Sequence, residues 1–167
     1  MEPADKDLSE KHGEFVPIIA AIERAEASVG AGESALRVQA SDLHESLAHG
    51  LIPHAIGEGR TLFPVLRRVT GSDQASAAMN RDHKELARLT DELDRLRSSI
   101  AEAGLDAAAE RSLTRVLRDL RELMARHFAE EEQVCFQVLK AELSPEEARQ
   151  MCETMERTAA EVRSLYE

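Results

Sequence analysis

Apolar residues recur every three or four positions along most of the chain, which is the spacing of one face of an α-helix. Short stretches rich in Gly, Ser or Asp separate five such segments. We predict helices over about Asp5–Ala27, Ser34–Arg68, Ser72–Ala103, Asp106–Leu143 and Ser144 to the C-terminus. Four long helices with short links and a terminal helix predict an all-α fold, an antiparallel up-down four-helix bundle with an additional C-terminal helix.

The ends of these helices have recognisable signals. Gly104 is expected to end the third helix and Asp106 to cap the fourth. Ser144-Pro145-Glu146-Glu147 has the form of a capping box with proline at the first helical position. Pro53 is expected to bend the second helix directly before His54. We interpret residues 1–167 as one domain, with a bundle core over 7–143 and a fifth helix over 144–167.

The second and fourth helices share a motif. A histidine is followed four residues later by a glutamate, then five residues on by a phenylalanine, and shortly after by Val-Leu. The two copies begin with His54 and Glu58 and with His127 and Glu131. Residues four apart lie on one face of a helix, so each copy aims one imidazole and one carboxylate in the same direction.

Apolar neighbours indicate that both pairs face the interior of the bundle. The residues predicted on the same side of the two helices include Leu43, Leu47, Leu51, Leu62, Leu120, Leu123, Met124 and Val134. In the fifth helix the predicted inner stripe consists of Ala148, Met151, Met155, Ala159, Val162 and Tyr166.

The first and third helices each add one histidine, His12 and His83. Lys11-His12-Gly13-Glu14 in the first helix is echoed by Asp82-His83-Lys84-Glu85 in the third. At the rise of an α-helix, His83 and His127 each lie about 30 Å from the linked ends of their helices. The corresponding distances for His12 and His54 are about 24 and 29 Å. Antiparallel packing should therefore bring all four imidazoles to one level.

Charge and cysteine content exclude several classes of function. A net charge of −11 over 167 residues argues against a nucleic-acid or anionic-membrane partner, because both require a basic face. No apolar run approaches membrane-spanning length, and the N-terminus lacks a signal-peptide pattern. Cys135 and Cys152 form no disulfide or metal motif, which is typical of thiols in a reducing cytoplasm.

Six polar groups are thus expected at one height inside an apolar bundle, where they would be unstable as bare side chains. A metal ion would resolve this cost, and a set of imidazoles and carboxylates without thiolate favours iron or manganese over structural zinc. Two six-coordinate ions offer about twelve positions. Four imidazoles, two bridging carboxylates and one bridging oxygen would fill ten of them. About two positions would stay open for oxygen, nitric oxide, peroxide or azide.

The order His, His-x-x-x-Glu, His, His-x-x-x-Glu, with Leu-Phe-Pro after the first motif, resembles the hemerythrin-like family of di-iron bundles over residues 7–140. The resemblance implies two iron ions in a non-haem centre with an oxo or hydroxo bridge. Its implied ligands are His12, His54, Glu58, His83, His127 and Glu131. The oxygen carriers of the family have a second histidine four residues after the one on the third helix. The residue here is Ala87, which makes the set more similar to the iron-sulfur-repair and iron-sensing branches.

Our leading hypothesis is a cytoplasmic di-iron protein that binds oxygen, nitric oxide or peroxide for sensing or detoxification. The alternatives are a catalase-like, peroxide-decomposing enzyme and an iron-responsive interaction module. Two other classes are excluded by spacing. His44 and His49 lie one residue too far apart for the zinc-protease helix and are expected to be solvated, and the Glu-x-x-His triplet of ferritin-type bundles does not occur.

Overall fold

The chain is helical throughout the part that its computed structural model describes, residues 16–165. The α-helices are α1 (Val16–Ser28), α2 (Glu33–Ser46), α3 (Ile52–Arg60), α4 (Leu62–Thr70), α5 (Gln74–Ala103), α6 (Ala107–Glu130), α7 (Gln137–Glu142) and α8 (Pro145–Arg163). Two π-helical segments interrupt them, π1 (Leu47–Leu51) and π2 (Glu131–Phe136). The predicted all-α class is confirmed, and residues 16–165 contain no β-strand.

Four helical rods form the bundle. The first is α1, the second runs from α2 through π1 and α3 to α4, the third is α5, and the fourth runs from α6 through π2 to α7. The first and third rods both pack against the second and the fourth, which closes the ring. Glu33 at the start of the second rod accepts the N–H of Leu105 at the end of the third, at 3.2 Å. Neighbouring rods therefore run antiparallel, as predicted.

The predicted start and stop signals are present at most of the helix ends. Gly104 ends α5 with a φ of 84°, and the Asp106 carboxylate accepts the N–H groups of Ala108 and Ala109 at 3.0 and 2.7 Å. Ser144 and Glu147 form the predicted capping box. These caps satisfy backbone groups that the helices themselves leave unpaired.

The second rod was predicted as one helix, but it is interrupted twice. Pro53 has no N–H to donate, and the turn before it widens, so that the N–H of Ile52 donates to the carbonyl of Leu47, five residues back. A second break falls at Thr61, which has a φ of −120°. Pro64 accounts for it, because proline cannot donate to the carbonyl of Arg60 and its ring crowds that carbonyl. The Thr61 hydroxyl donates to the carbonyl of Gly57 at 2.7 Å.

The fourth rod contains a similar irregularity, and it overturns one predicted core position. Val134 was expected on the side of His127, but it is 41% exposed, whereas Cys135 is fully buried. A π-helical turn contains an extra residue and rotates the following side chains relative to a regular helix. The rotation in π2 turns Val134 outward and brings Cys135 into the interior.

The core consists of two apolar clusters. The larger cluster fills the first part of the bundle and includes Ile22, Leu36, Leu43, Leu47, Leu93, Leu117 and Leu120. The smaller cluster lies at the other end and consists of Leu62, Phe63, Leu66, Met79, Cys135, Leu139, Met151 and Cys152. On the second, third and fourth rods, the segments between the two clusters carry the predicted ligands.

The C-terminal helix α8 packs directly on α3, the helix that carries His54 and Glu58. A Cβ atom on Gly57 would lie only 2.8 Å from the carbonyl oxygen of Met155 and 3.2 Å from its Cγ. The predicted inner stripe is buried from Ala148 to Val162, with Met155 3% exposed, and Tyr166 lies outside the described residues. Glycine at position 57 therefore permits a close approach of the two backbones. None of the described helices has the length and apolarity needed to span a bilayer.

Gly57→Ala should destabilise the fold, because the new methyl group meets backbone rather than a movable side chain. We expect a loss of about 1–3 kcal/mol in the free energy of unfolding, measured by urea denaturation. Gly59→Ala is the matched control on α3, since a Cβ there meets nothing within 4 Å. It should stabilise the chain by up to about 1 kcal/mol through helix propensity. Equal effects of the two substitutions would contradict the close approach.

Candidate metal centre

His54 and Glu58 occupy one face of α3, one turn apart. The Nε2 atom of His54 lies 2.8 Å from the Oε1 atom of Glu58. Both side chains are buried, and Glu58 is only 1% exposed. The predicted pairing within the first motif is therefore present, and it points into the bundle between the two apolar clusters.

His83 reaches the same carboxylate from α5. Its Nε2 atom lies 3.1 Å from the Oε2 atom of Glu58, so the two oxygens of Glu58 face imidazoles from two different rods. Phe63 stacks on the His83 ring with a centroid separation of 5.2 Å. This aromatic contact belongs to the smaller cluster and closes that side of the polar layer.

The second motif completes the arrangement from the fourth rod. The Nε2 atom of His127 lies 3.7 Å from the Oε2 atom of Glu131, and Glu131 is 1% exposed. The His127 ring meets the His83 ring edge-on at a centroid distance of 4.9 Å. Glu58, His83 and His127 each offer one ligand atom, and these three atoms lie within 4.8 Å of one another.

The structure thus brings together His54, Glu58, His83, His127 and Glu131, and His12 lies outside the described residues. The other two histidines are elsewhere. His44 lies 3.6 Å from Asp94, and His49 lies 3.7 Å from Glu45 with 40% of its side chain exposed. His44, which was expected to be solvated, is thus largely covered, with 20% of its side chain exposed.

The two carboxyl groups at the centre have opposite electrostatic environments. Burial favours the protonated form of Glu58, but the charge and hydrogen bond of His54, together with contacts from His83 and Glu131, outweigh it. They hold the pKa of Glu58 well below its ordinary value. Burial and the adjacent charge of Glu58 push the pKa of Glu131 well above its ordinary value. Without a cation, Glu131 therefore loses its proton less readily than Glu58.

Cys135 is the nearest thiol in the sequence to the second motif. Burial, followed by the charges of Glu131, Glu58 and Glu130, raises its pKa to about 12. In the metal-free chain the thiol therefore stays protonated and packs as a small apolar side chain.

These residues fit a cation. The Oε2 atom of Glu58 and the Nε2 atom of His83 are both buried and 3.1 Å apart, yet neither makes a well-aligned hydrogen bond within residues 16–165. Buried polar atoms normally find such a partner. Neighbouring ligand atoms on an octahedral ion with bonds near 2.1 Å are about 3 Å apart. The separation of the two atoms is therefore the one that a shared cation requires.

One residue in contact with this cluster was not singled out from the sequence. The Oδ2 atom of Asp82 lies 3.7 Å from the Nδ1 atom of His127, and its Oδ1 atom accepts a hydrogen bond from Arg126 at 2.8 Å. Asp82 and Arg126 directly precede His83 and His127 in the chain. This shared position was the signal that could have identified the pair.

Glu131→Gln should remove a pH dependence from the metal-free protein. The folded state holds the proton of Glu131 more tightly than the unfolded chain, whose ordinary pKa is 4.5. The stability contributed by Glu131 is therefore fully present below about pH 4.5 and is lost as the pH rises through the raised pKa. The decline reaches at most about 1.4 kcal/mol per pH unit and should be missing in Glu131→Gln.

Urea unfolding of chelator-treated protein at several pH values measures this difference. Glu122→Gln, the same change at an exposed glutamate of α6, is the control and should keep the slope of the unsubstituted chain. Parallel pH profiles for the unsubstituted protein and Glu131→Gln would show that Glu131 is not protonated in the fold.

A comparison with protein families identifies the chain. The profile of the Hemerythrin HHE cation binding domain matches residues 4–139, a span that contains all six predicted ligands but not α8. No curated protein and no solved structure matches the chain. Because the profile covers most of the sequence, the chain belongs to the hemerythrin HHE cation-binding family.

Proposed function

We propose that the chain holds a non-haem di-iron centre that binds oxygen, nitric oxide or peroxide for sensing or detoxification. The observation that carries this proposal is the position of the Glu58 carboxylate. Its two oxygens lie 2.8 Å from His54 and 3.1 Å from His83, which belong to different rods. A carboxylate placed in this way can bridge two cations, as carboxylates do in other di-metal bundles.

The two proposed metal positions lie on opposite sides of Glu58. On one side, His83 and His127 offer ring nitrogens close to a Glu58 oxygen. On the other side, His54 faces Oε1, and we assign His12 as its companion from the sequence alone. Glu131 would supply the second bridging carboxylate, because it is buried beside Glu58 and interacts with it directly.

The donor atoms favour iron over a structural zinc ion. The five described ligands offer imidazole nitrogen and carboxylate oxygen, and the pKa of about 12 keeps the thiol of Cys135 out of the set in the metal-free chain. Closed zinc sites are mostly built with thiolates or with four ligands on one ion. Two bridging carboxylates between separate histidine pairs suit a pair of iron ions better.

The number of ligands leaves room for a small molecule. Six side chains and one bridging oxygen occupy about ten of twelve positions on two six-coordinate ions. Ala87, one turn after His83, cannot add a ligand. The oxygen carriers of the family that this chain resembles have histidine at this position. We therefore place an open position on the side of His83 and His127.

The apolar interior of the bundle would hold the ligating side chains in place and exclude water from them. The larger cluster closes one face of the polar layer, and the smaller cluster closes the other with the stacked ring of Phe63. A bound iron pair would supply the electrons for binding or reducing a small oxygen or nitrogen species. Surroundings of low polarity strengthen the interaction of the ligands with the cations. We place the protein in the cytoplasm, because Cys135 and Cys152 are buried and form no disulfide.

Protein produced with ample iron should contain two iron ions per chain by elemental analysis. His127→Ala should lower this content, because it removes one of the proposed ligands. His49→Ala is the control, since His49 is half exposed and lies beside Glu45. Substantially less than two iron ions in the unsubstituted protein would contradict the di-iron proposal.

An absorption spectrum of the same samples tests the open position. Near-ultraviolet charge-transfer bands should move when azide, nitric oxide or peroxide is added, and unchanged bands would contradict an open position. Added peroxide also separates binding from catalysis. Oxygen evolution that is lost in His54→Ala would assign the centre to peroxide breakdown instead.

One observation favours a second candidate, an iron-responsive interaction module. The helix that carries His54 and Glu58 also touches α8 through Gly57 and Met155. The bridging residue Glu58 and the contact residue Gly57 are neighbours in the chain. Loss of iron would relax α3, and a change in α3 would reach α8 without any intervening element. The family match covers residues 4–139 and does not include α8.

Iron loading should slow hydrogen exchange in α8 more than at the far end of the bundle. The amides of α8 from Ala148 to Val162 are compared with those around Leu113, a buried residue of the larger cluster. Removal of iron should also lower the melting temperature, because an ion that binds only the folded state stabilises it. Equal exchange in α8 with and without iron, or an unchanged melting temperature, would contradict the module.

A further inference from the structure

Asp82 stands between the candidate centre and the surface of the bundle. It immediately precedes His83 on α5 and faces α6, where its carboxylate meets two side chains. The Oδ1 atom accepts a hydrogen bond from Arg126 at 2.8 Å, and the Oδ2 atom lies 3.7 Å from the Nδ1 atom of His127. The side chain of Asp82 is 15% exposed and that of Arg126 is 58% exposed. Asp82 therefore connects the solvated guanidinium group of Arg126 to the buried imidazole of His127.

The two nitrogens of His127 have different surroundings. Nε2 lies 3.7 Å from Glu131, within the polar layer, and Nδ1 faces Asp82. A histidine that binds a metal through one nitrogen usually donates its other N–H to a carboxylate, a carbonyl or water. Such a partner fixes both the tautomer and the orientation of the ring.

We propose that Asp82, held by Arg126, is the positioning residue for His127. In this arrangement the Nδ1–H group of His127 donates to Oδ2 of Asp82, and the lone pair of Nε2 points to the cation. The present separation of 3.7 Å exceeds that of a normal hydrogen bond. A small rotation of the ring would close it. The inference rests on the proposed function for the cation itself, but the preference for one tautomer belongs to the chain alone.

This role makes the two halves of the centre unequal. Asp82-His83 in the third rod corresponds in sequence to Lys11-His12 in the first. Only the second half of the repeat therefore has a carboxylate directly before its histidine. A carboxylate partner raises the basicity of a ligating imidazole, so we expect the metal position at His83 and His127 to be the tighter of the two.

An ordinary surface ion pair is the competing explanation for the contact with Arg126. Such pairs contribute about 0–1 kcal/mol to stability and do not affect a site one layer deeper. The chain offers a matched example on the same helix. Asp94 lies 3.6 Å from the Nε2 atom of His44 and accepts a hydrogen bond from Arg97. This second trio has the same residue types but no part in the candidate centre.

The experiment compares Asp82→Ala, Asp82→Glu and Asp94→Ala. We expect Asp82→Ala to weaken iron binding at one position by about tenfold to a hundredfold in competition with a chelator. Asp82→Glu, which keeps the carboxylate, should recover part of that affinity. Asp94→Ala should bind iron like the unsubstituted protein. The near-ultraviolet bands should change in Asp82→Ala and not in Asp94→Ala.

A second measurement is independent of iron. Long-range proton–nitrogen NMR spectra of the metal-free protein should show the Nδ1–H tautomer for His127, and Asp82→Ala should shift it towards the other tautomer. Unchanged affinity together with an unchanged tautomer in Asp82→Ala would overturn the role of Asp82. If the unsubstituted protein binds less than two iron ions, the di-iron proposal fails, and the tautomer alone then decides whether Asp82 orients His127.

Discussion

The buried interaction between Glu58 and the imidazoles of two rods is the constraint on which the arrangement depends. A carboxylate that is 1% exposed between two apolar clusters is unfavourable unless opposite charges surround it. His54 and His83 meet its two oxygens, and beside it lies Glu131, whose pKa is raised by burial and by the charge of Glu58. The bundle therefore has a polar layer that contacts with imidazoles stabilise in part and that metal ions would stabilise more fully.

The irregular turns of the rods position this layer. π1 ends two residues before Pro53 and lets a helix with an internal proline continue to His54. π2 begins at Glu131 itself and rotates the residues after it. The break at Thr61 separates Glu58 from the stacked ring of Phe63. Each motif is thus followed or preceded by a change in helix geometry, which is common where a helix serves a site.

Much of the site could be predicted from the sequence, because residues four apart share a helix face whatever surrounds them. This rule found His54 with Glu58 and His127 with Glu131, and helix lengths put His83 at the same level. The rule fails where the number of residues per turn changes, and Val134 was for that reason assigned to the wrong side. Asp82 was not predicted, because its contact with His127 depends on the rotation of α5 against α6. Spacing within one helix does not reveal that rotation. The place of His12 remains a prediction.

The division of the apolar interior into two clusters has a consequence for how the protein unfolds. The polar layer separates the two clusters, so the apolar side chains of each half pack mainly against one another. These contacts stabilise mainly their own half. The smaller half contains α8, the end of the second rod and α7. Bound cations would join the two halves across this layer, so the unfolding transition is expected to be more cooperative with iron than without it.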